Sequence, residues 1–227
     1  MTDSLIAIVP AAGVGQRAGL PGAPALPKQY RLLAGQPMLR WAVAALLADA
    51  RIGQVRVALS PGDERAQPAL AGLPRTVCRP CGGPTRAATV AAALADSGAG
   101  DDDWILVHDA ARPGLPPAAL ARLIDACLGD PVGGLLALPV ADTVKSGGPR
   151  VRATLDRDGL WLAQTPQMFR AGVLRAALAR AQASGGAVTD EASAIEAAGH
   201  APLLVPGALR NFKVTWPDDF ELMEKWL

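Results

Sequence analysis

The run Leu5-Ile6-Ala7-Ile8-Val9 passes without a break into Pro10-Ala11-Ala12-Gly13-Val14-Gly15-Gln16-Arg17, and that junction constrains the fold more than any other part of the chain. A short β-branched run with no polar alternation predicts a strand buried on both faces. Small residues and glycines directly after it predict a tight loop whose backbone N–H groups can approach an anion closely. Further buried strands are predicted at 55–59, 76–78, 104–108 and 134–138. Between them, helical stretches are predicted at 38–48, with Pro37 suited to the first turn, at about 85–95, and from Pro116 or Pro117 to about 128. Punctuation supports these boundaries: Ser60-Pro61-Gly62-Asp63 stops one strand, Gly82-Gly83-Pro84 turns into a helix, and Asp101-Asp102-Asp103 opens another strand.

Strands alternating with helices predict an α/β fold, Rossmann-like, with a mostly parallel twisted sheet and helices on both faces. Right-handed crossovers place the loops that follow strands on one sheet edge, where ligands bind. The pattern changes over 139–163. Short strands at 140–145, 151–155 and 160–163 are separated by Gly147-Gly148 and Asp158-Gly159, which are hairpin turn signals. This stretch predicts a projecting β-arm, and because isolated hairpins are marginal in water, an arm that packs on a second subunit as a homodimer. Helices at 171–183 and 191–198 follow, then a strand at 203–205, the segment Lys213-Val214-Thr215 and a last helix from about Pro217. With no repeat and no long linker, 1–227 is expected to be one domain. Leu227 comes soon after the last helix begins, so no fused second enzyme domain is expected.

Composition removes several classes of function. Half of the 227 residues are hydrophobic and 19% are charged, which argues for a globular core rather than disorder. A formal net charge of +1 provides no bulk field for nucleic acid, so phosphate binding must rest on a few placed cations. No apolar run reaches the roughly 18–20 residues of a membrane helix. MTDSLIAIVP has no basic segment before its apolar run, so no signal peptide is expected and the cytoplasm is the default. Cys78, Cys81 and Cys127 do not make a disulfide framework. The Cys78–Cys81 C-x-x-C would need two more zinc ligands, and His108 and His200 are the only histidines, so the cysteines read as small fillers.

The loop after the first strand admits three readings. A P-loop would need Gly-Lys-Ser/Thr, which is absent. A dinucleotide loop is permitted by Gly13, Gly15 and Ala18, but no acidic residue ends the strand at 55–59. A glycine turn without a ligand is the plainer alternative. Arg17 adds a fork of donors, and Lys28 adds a second charge once the irregular stretch 18–27 folds over. Asp109, after the strand at 104–108, shares the sheet edge with the loop. A lone carboxylate there suits Mg²⁺, or serves as a cap or turn residue. Arg112 either binds phosphate or pairs with Asp109, and His108 reads as a hydrogen-bonded core residue. Thr143, Arg157 and Lys213 are each ordinary surface residues taken singly. Thr165, Thr189 and Asp190 read first as turn or cap residues, and Thr189-Asp190-Glu191-Ala192 is a good helix start.

Together these segments are specific. Pro10-Ala11-Ala12-Gly13-x-Gly15-x-Arg17, Pro27-Lys28-Gln29-Tyr30, Val107-His108-Asp109-Ala110-Ala111-Arg112-Pro113, Asp142-Thr143-Val144-Lys145, Asp156-Arg157-x-Gly159-Leu160-Trp161, Gln164-Thr165-Pro166-Gln167, Thr189-Asp190-Glu191-Ala192-Ser193 and Asn211-x-Lys213-Val214-Thr215 occur in order along the chain. In this the sequence resembles the 2-C-methyl-D-erythritol 4-phosphate cytidylyltransferase family of the non-mevalonate isoprenoid pathway. The resemblance implies that CTP and 2-C-methyl-D-erythritol 4-phosphate give 4-diphosphocytidyl-2-C-methyl-D-erythritol and pyrophosphate, with Mg²⁺. It implies that Ala11, Ala12, Gly13, Gly15, Gly83 and Thr89 contact CTP, with Gly82 beside them, and that Arg17, Lys28 and Lys213 carry catalysis. Asp109 would hold Mg²⁺ beside the substrate. Arg112, Thr143, Arg157, Thr165 and Thr189 would shape the alcohol-phosphate pocket, with Thr143 and Arg157 offered across a dimer by the arm.

Two departures from the family pattern stand out. Pro84 replaces an acidic residue common after the paired glycines, leaving backbone groups of Gly82 and Gly83 to read the cytosine edge. The loop between Arg17 and Lys28, with Pro21, Pro24 and Pro27, is longer than usual. Competing readings are a cytidylyltransferase for ribitol 5-phosphate or a related polyol phosphate, a nicotinamide-dependent oxidoreductase, and a non-catalytic nucleotide-binding scaffold. The last has no reason to keep Arg17, Lys28 and Asp109 on one edge. Joining two polyanions calls for cations, since two like unit charges at 4 Å repel by about 4 kcal/mol at an effective dielectric of 20. No general base is called for, because a phosphate monoester with a second pKa of about 6 is already mostly dianionic near neutrality.

Overall fold

A computed structural model of the chain describes residues 5–13, 26–185 and 188–227. Leu5–Pro10 forms β1. A single 3₁₀ turn at Lys28–Tyr30 leads to a small hairpin of Leu32–Leu33 (β2) and Gln36–Pro37 (β3). Then come Met38–Leu47 (α1), Ile52–Ala58 (β4), Ala66–Ala69 (α2), Thr76–Arg79 (β5), Arg86–Asp96 (α3), Trp104–Val107 (β6), Pro117–Leu128 (α4) and Gly133–Pro139 (β7). The second half adds Val144–Gly147 (β8), Val151–Leu155 (β9), Trp161–Arg170 (β10), Ala171–Ala183 (α5), Glu191–Ala197 (α6), Leu203–Pro206 (β11) and Pro217–Glu224 (α7).

Among the described residues the central sheet has seven strands in the order β11-β7-β10-β6-β1-β4-β5. Pairs β1–β4, β1–β6, β4–β5 and β7–β11 are parallel. The alternation of side chains along each strand explains the two helical layers. Leu5, Ala7 and Val9 face α1 and α4 through Leu39, Val43, Leu120 and Ile124. Ile6 and Ile8 face α3 and α5 through Val90, Leu94, Leu174 and Leu178. Both faces are covered, which is why the strands read as uninterrupted apolar runs. A smaller cluster of Leu33, Met38, Ala111, Val214, Phe220 and Met223 docks α7 beside β6.

The arm differs from its expected form. Only β8 and β9 pair as a separate hairpin. The run expected to end the arm at 160–163 instead begins β10, which continues to Arg170 between β6 and β7 and is antiparallel to both. Its apolar second half, Gln167–Arg170 against Trp104–Val107, is buried sheet rather than arm. Because it runs backwards, β10 begins at the carboxyl edge of its neighbours, so Thr165 arrives next to the end of β6. The hairpin β2–β3 and the short helix α2 had no signal long enough to show a period. Ala34 and Gly35 close that hairpin at φ 45° and 77°.

One charged cluster ties α3 to the edge strands. Arg79 donates to Asp96 at 2.7 and 2.6 Å, and Arg56 also bonds the Asp96 carboxylate. The Arg79 hydrogen bonds, with Arg56 adding, hold the Asp96 carboxyl at about 2, below its ordinary 3.8. A depressed carboxyl contributes stability that is present above the ordinary value and lost as pH falls towards the folded one. Thermal melts of wild type and Asp96→Asn should therefore differ most above about pH 4 and converge near about pH 2. A constant gap across that window would contradict the assignment.

Candidate active site

The carboxyl ends of β1 and β6 and the loop before α3 enclose a cleft of about 270 Å³. Ala11, Ala12 and Gly13 line one side, and their backbone is fastened from three directions. Ala11 N–H donates to Ala58 O at 2.8 Å, Gln29 Nε2 donates to Ala11 O at 2.9 Å, and Ser60 Oγ donates to Ala12 O at 2.7 Å. Gly82 packs against this loop so closely that a Cβ would lie 2.3 Å from Ala12 Cβ and 2.7 Å from Leu59 O. Only glycine permits that approach. Gly83 donates its N–H to Thr89 Oγ1 at 3.0 Å, and Thr89 donates in turn to Thr85 O at 2.9 Å. Thr85 caps α3 by accepting from Ala88 N–H at 3.1 Å. Gly82 N–H is spent on Leu59 O. Of the paired glycines, the carbonyl oxygens therefore remain as the groups to read a base, which narrows the expectation for their backbone.

Opposite the loop sits Asp109, 6% exposed, at the end of β6. Arg86 Nε donates to its Oδ1 at 2.9 Å, Lys213 Nζ approaches Oδ2 at 2.8 Å, and Arg112 Nε lies 3.8 Å from Oδ2. Burial pushes the Asp109 carboxyl up, but the charges of Arg86 and Lys213 more than reverse this and hold it well below the usual carboxylate range. Arg86 is itself gripped by Glu191, a fully buried carboxylate, at 2.7 and 2.9 Å. Lys28 Nζ donates to Val214 O at 2.6 Å, beside Lys213.

A neutral relay fixes the backbone of Asp109. His108 is fully buried, and burial pushes its imidazole down to about 4. Its Nε2 lies 3.0 Å from Arg112 O, an acceptor, so the proton sits on Nε2 and Nδ1 accepts from Thr165 Oγ1 at 3.1 Å. Thr165 Oγ1 then accepts from Asp109 N–H at 2.9 Å. His108 is thus the hydrogen-bonded core residue expected of it.

The structure brings Ala11, Ala12, Gly13, Lys28, Gly83, Thr89, Asp109 and Lys213 together around the cleft. Gly82 supports it from behind. Gly15 and Arg17, with the rest of the long loop, lie outside the described residues. Arg112 is 9% exposed and staples three segments, donating to Asn211 O at 2.8 Å and Ala163 O at 3.2 Å. Of its two anticipated alternatives, the pairing with Asp109 is present as a long contact of 3.8 Å, beside these bonds to carbonyl groups. Thr143 and Arg157 are exposed on the arm, where Arg157 bonds Ala141 O. Thr189 is exposed just before Asp190, which caps α6 by accepting from Ser193 N–H at 3.0 Å. Sequence reasoning missed Arg86 and Glu191. Arg86 follows a helix cap and Glu191 sits in a capping motif, so each had a complete local explanation.

A glycine loop at the carboxyl edge of a mostly parallel sheet, facing lysines from both ends of the chain and one ionised carboxylate, defines an α/β enzyme that handles nucleotide phosphates. The strand β4 is followed by Ser60, not by the acid a dinucleotide site uses on ribose. The family model described as 2-C-methyl-D-erythritol 4-phosphate cytidylyltransferase matches residues 5–227, and the chain belongs to that family. It is 92% identical over 227 residues to the Bordetella petrii protein of that description, covering 100% of both chains. Its fold is similar to the crystal structure of 4-diphosphocytidyl-2C-methyl-D-erythritol synthase, with a TM-score of 0.86 at 39% identity over 100% of this chain and 99% of that one. The Francisella tularensis 2-C-methyl-D-erythritol 4-phosphate cytidylyltransferase is similar at a TM-score of 0.84 and 32% identity, over 99% and 100% of the two chains. The chain is a nucleotidyltransferase that joins CTP to 2-C-methyl-D-erythritol 4-phosphate, and the polyol-phosphate and nicotinamide alternatives are not favoured.

The relay makes a prediction that needs no ligand. Thr165→Val keeps the shape but leaves the buried Asp109 N–H and His108 Nδ1 without partners, at about 1–3 kcal/mol for each group. Urea denaturation should show that loss, and Thr165→Ser should recover most of it.

Proposed function

We propose that the cleft holds the triphosphate of CTP between the loop after β1 and a cation cluster of Arg17, Lys28 and Lys213. One observation carries this reading: Lys28 bonds the carbonyl of Val214 while the adjacent Lys213 pairs with Asp109, so cations from two distant segments converge on one cleft. Ala11, Ala12, Gly13 and Gly15 offer backbone to the phosphates. Carbonyl oxygens of Gly82 and Gly83 suit the exocyclic amine of cytosine, a donor, which needs no acidic side chain at Pro84.

Among the described residues no three His, Cys, Asp or Glu side chains gather as a metal cage. A single ionised carboxylate opening on a phosphate cleft is nevertheless the donor set that suits Mg²⁺, which takes its other ligands from phosphate and water. Asp109 is assigned as that carboxylate. When bound, Mg²⁺ supplies charge neutralisation on the triphosphate. Lys28, Lys213 and Arg17 stabilise charge on the attacked and leaving phosphates, and the alcohol phosphate attacks in line without a base. His108 is unsuited to be a base, since both its nitrogens are spent in the relay.

The alcohol phosphate binds beside Asp109, with Arg112, Thr165 and Thr189 shaping the pocket. The second copy of the chain supplies Thr143 and Arg157 through the arm. Every residue of β9 is exposed, and Val151, Leu155 and Leu162 are 67%, 45% and 58% exposed, an apolar surface that calls for cover. We take 1–227 as one domain working in the cytoplasm. Among the described residues no helix is long and apolar enough to cross a membrane.

Three measurements test the reading. Pyrophosphate release with CTP should be rapid with 2-C-methyl-D-erythritol 4-phosphate and slow with ribitol 5-phosphate, and the reverse order would overturn it. Lys28→Ala should lower kcat by about 10²–10³-fold while the melting temperature stays close to wild type. Arg157→Ala should raise KM for the alcohol phosphate and leave KM for CTP alone. An equal loss for both substrates would remove Arg157 from that pocket.

A further inference from the structure

Arg86 and Glu191 form a charge pair at the site, with Glu191 fully buried, that the roles above do not use. Glu191 is 0% exposed in the first turn of α6 and lies 105 residues from Arg86 in sequence. Burying a carboxylate so fully costs desolvation, and an apolar pair would pack as well without that cost. The geometry gives the pair a purpose. A guanidinium binds carboxylates and phosphates through a two-pronged fork. Here Nη1 bonds Glu191 Oε1 and Nη2 bonds Glu191 Oε2, so Glu191 occupies two of the three nitrogens. Each keeps a second N–H, but in the orientation this fork fixes, the guanidinium meets Asp109 through Nε, which reaches Oδ1. The other oxygen, Oδ2, faces Lys213 at 2.8 Å, and the Lys213 side chain is 41% exposed, so this partner can leave.

We propose that Arg86 and Glu191 are positioning residues that orient Asp109 and reserve its Oδ2 for exchange between Lys213 and a divalent cation. Glu191 acts by holding the guanidinium end-on, in the orientation that presents Nε to the Asp109 carboxylate. Arg86, so restrained, holds Oδ1 with a single bond and fixes the direction of Oδ2. In the free protein Lys213 occupies that oxygen. Once a cation claims the oxygen, the ammonium of Lys213 is released towards the phosphates. Without the Glu191 charge, the guanidinium fork turns onto both oxygens of Asp109 and excludes the cation. This inference rests on the assignment of Asp109 as the Mg²⁺ ligand.

The test reads binding rather than turnover. CTP is titrated calorimetrically into the enzyme with no alcohol phosphate present, once in EDTA and once in Mg²⁺, and the ratio of the two dissociation constants measures the coupling between cation and nucleotide. Glu191→Gln should leave the metal-free constant near wild type and reduce the coupling by about tenfold. The double variant Arg86→Gln/Glu191→Gln removes both charges, leaves no unpaired buried ion, and should recover part of the coupling, because no guanidinium competes although the hold on Oδ1 is lost. A role in folding alone would lower the fraction of binding-competent protein and leave both constants unchanged. The inference is overturned if Glu191→Gln keeps full coupling, or if the double variant is as impaired as the single one. Asp109→Asn separates the two levels. If it keeps the coupling, the metal assignment itself fails. If it loses the coupling while Glu191→Gln keeps it, only the positioning role fails.

Discussion

Holding one carboxylate ionised and aimed at the edge of a buried sheet is the constraint around which this molecule is arranged. Asp109 sits where water is largely excluded, so its charge must be met by placed partners. Arg86 and Lys213 meet it directly, and Glu191 in turn holds the Arg86 guanidinium. Its backbone is fixed by the hydroxyl of Thr165, which is fixed by a neutral His108. The antiparallel course of β10 follows from the same requirement, because only a strand entering from the carboxyl edge brings Thr165 to the end of β6. A mostly parallel sheet thus carries one reversed strand at the place where its chemistry is concentrated.

Much of this was legible in the residues. The buried strands and long helices were readable because continuous apolar runs and helical periods are imposed by burial on both faces of the sheet; most appear within a residue or two of their expected bounds, while β4 begins three residues early at Ile52 and β8 starts four residues late at Val144. The cleft was readable because a glycine loop and a post-strand carboxylate fall on one edge of a parallel sheet. What escaped was set by tertiary partners. The extent of β10 could not be read from 160–163, since Thr165-Pro166 interrupts its period and the apolar stretch beyond it has no turn signal to mark its direction. Arg86 and Glu191 escaped because local rules already accounted for them as first-turn helix residues. Nothing local marked the two carbonyl groups, from β10 and the segment before Lys213, that the terminal nitrogens of Arg112 bond.

The cluster around Val214 shows how closely packing and charge are joined. Val214 N–H donates to Ala111 O at 2.9 Å, its side chain packs with Phe220 and Met223, and its carbonyl receives Lys28. A short apolar knot therefore sets the spacing of two lysines that repel each other. Like charges are kept close by neighbours that carry no charge at all.

The Lys28–Val214 bond joins groups 186 positions apart. A contiguous fragment can assemble this pair only if it runs from Lys28 through Val214. During synthesis the glycine loop and β6 emerge long before Lys213, so this contact closes only once Val214 has been made, and the two lysines at the cleft come together late.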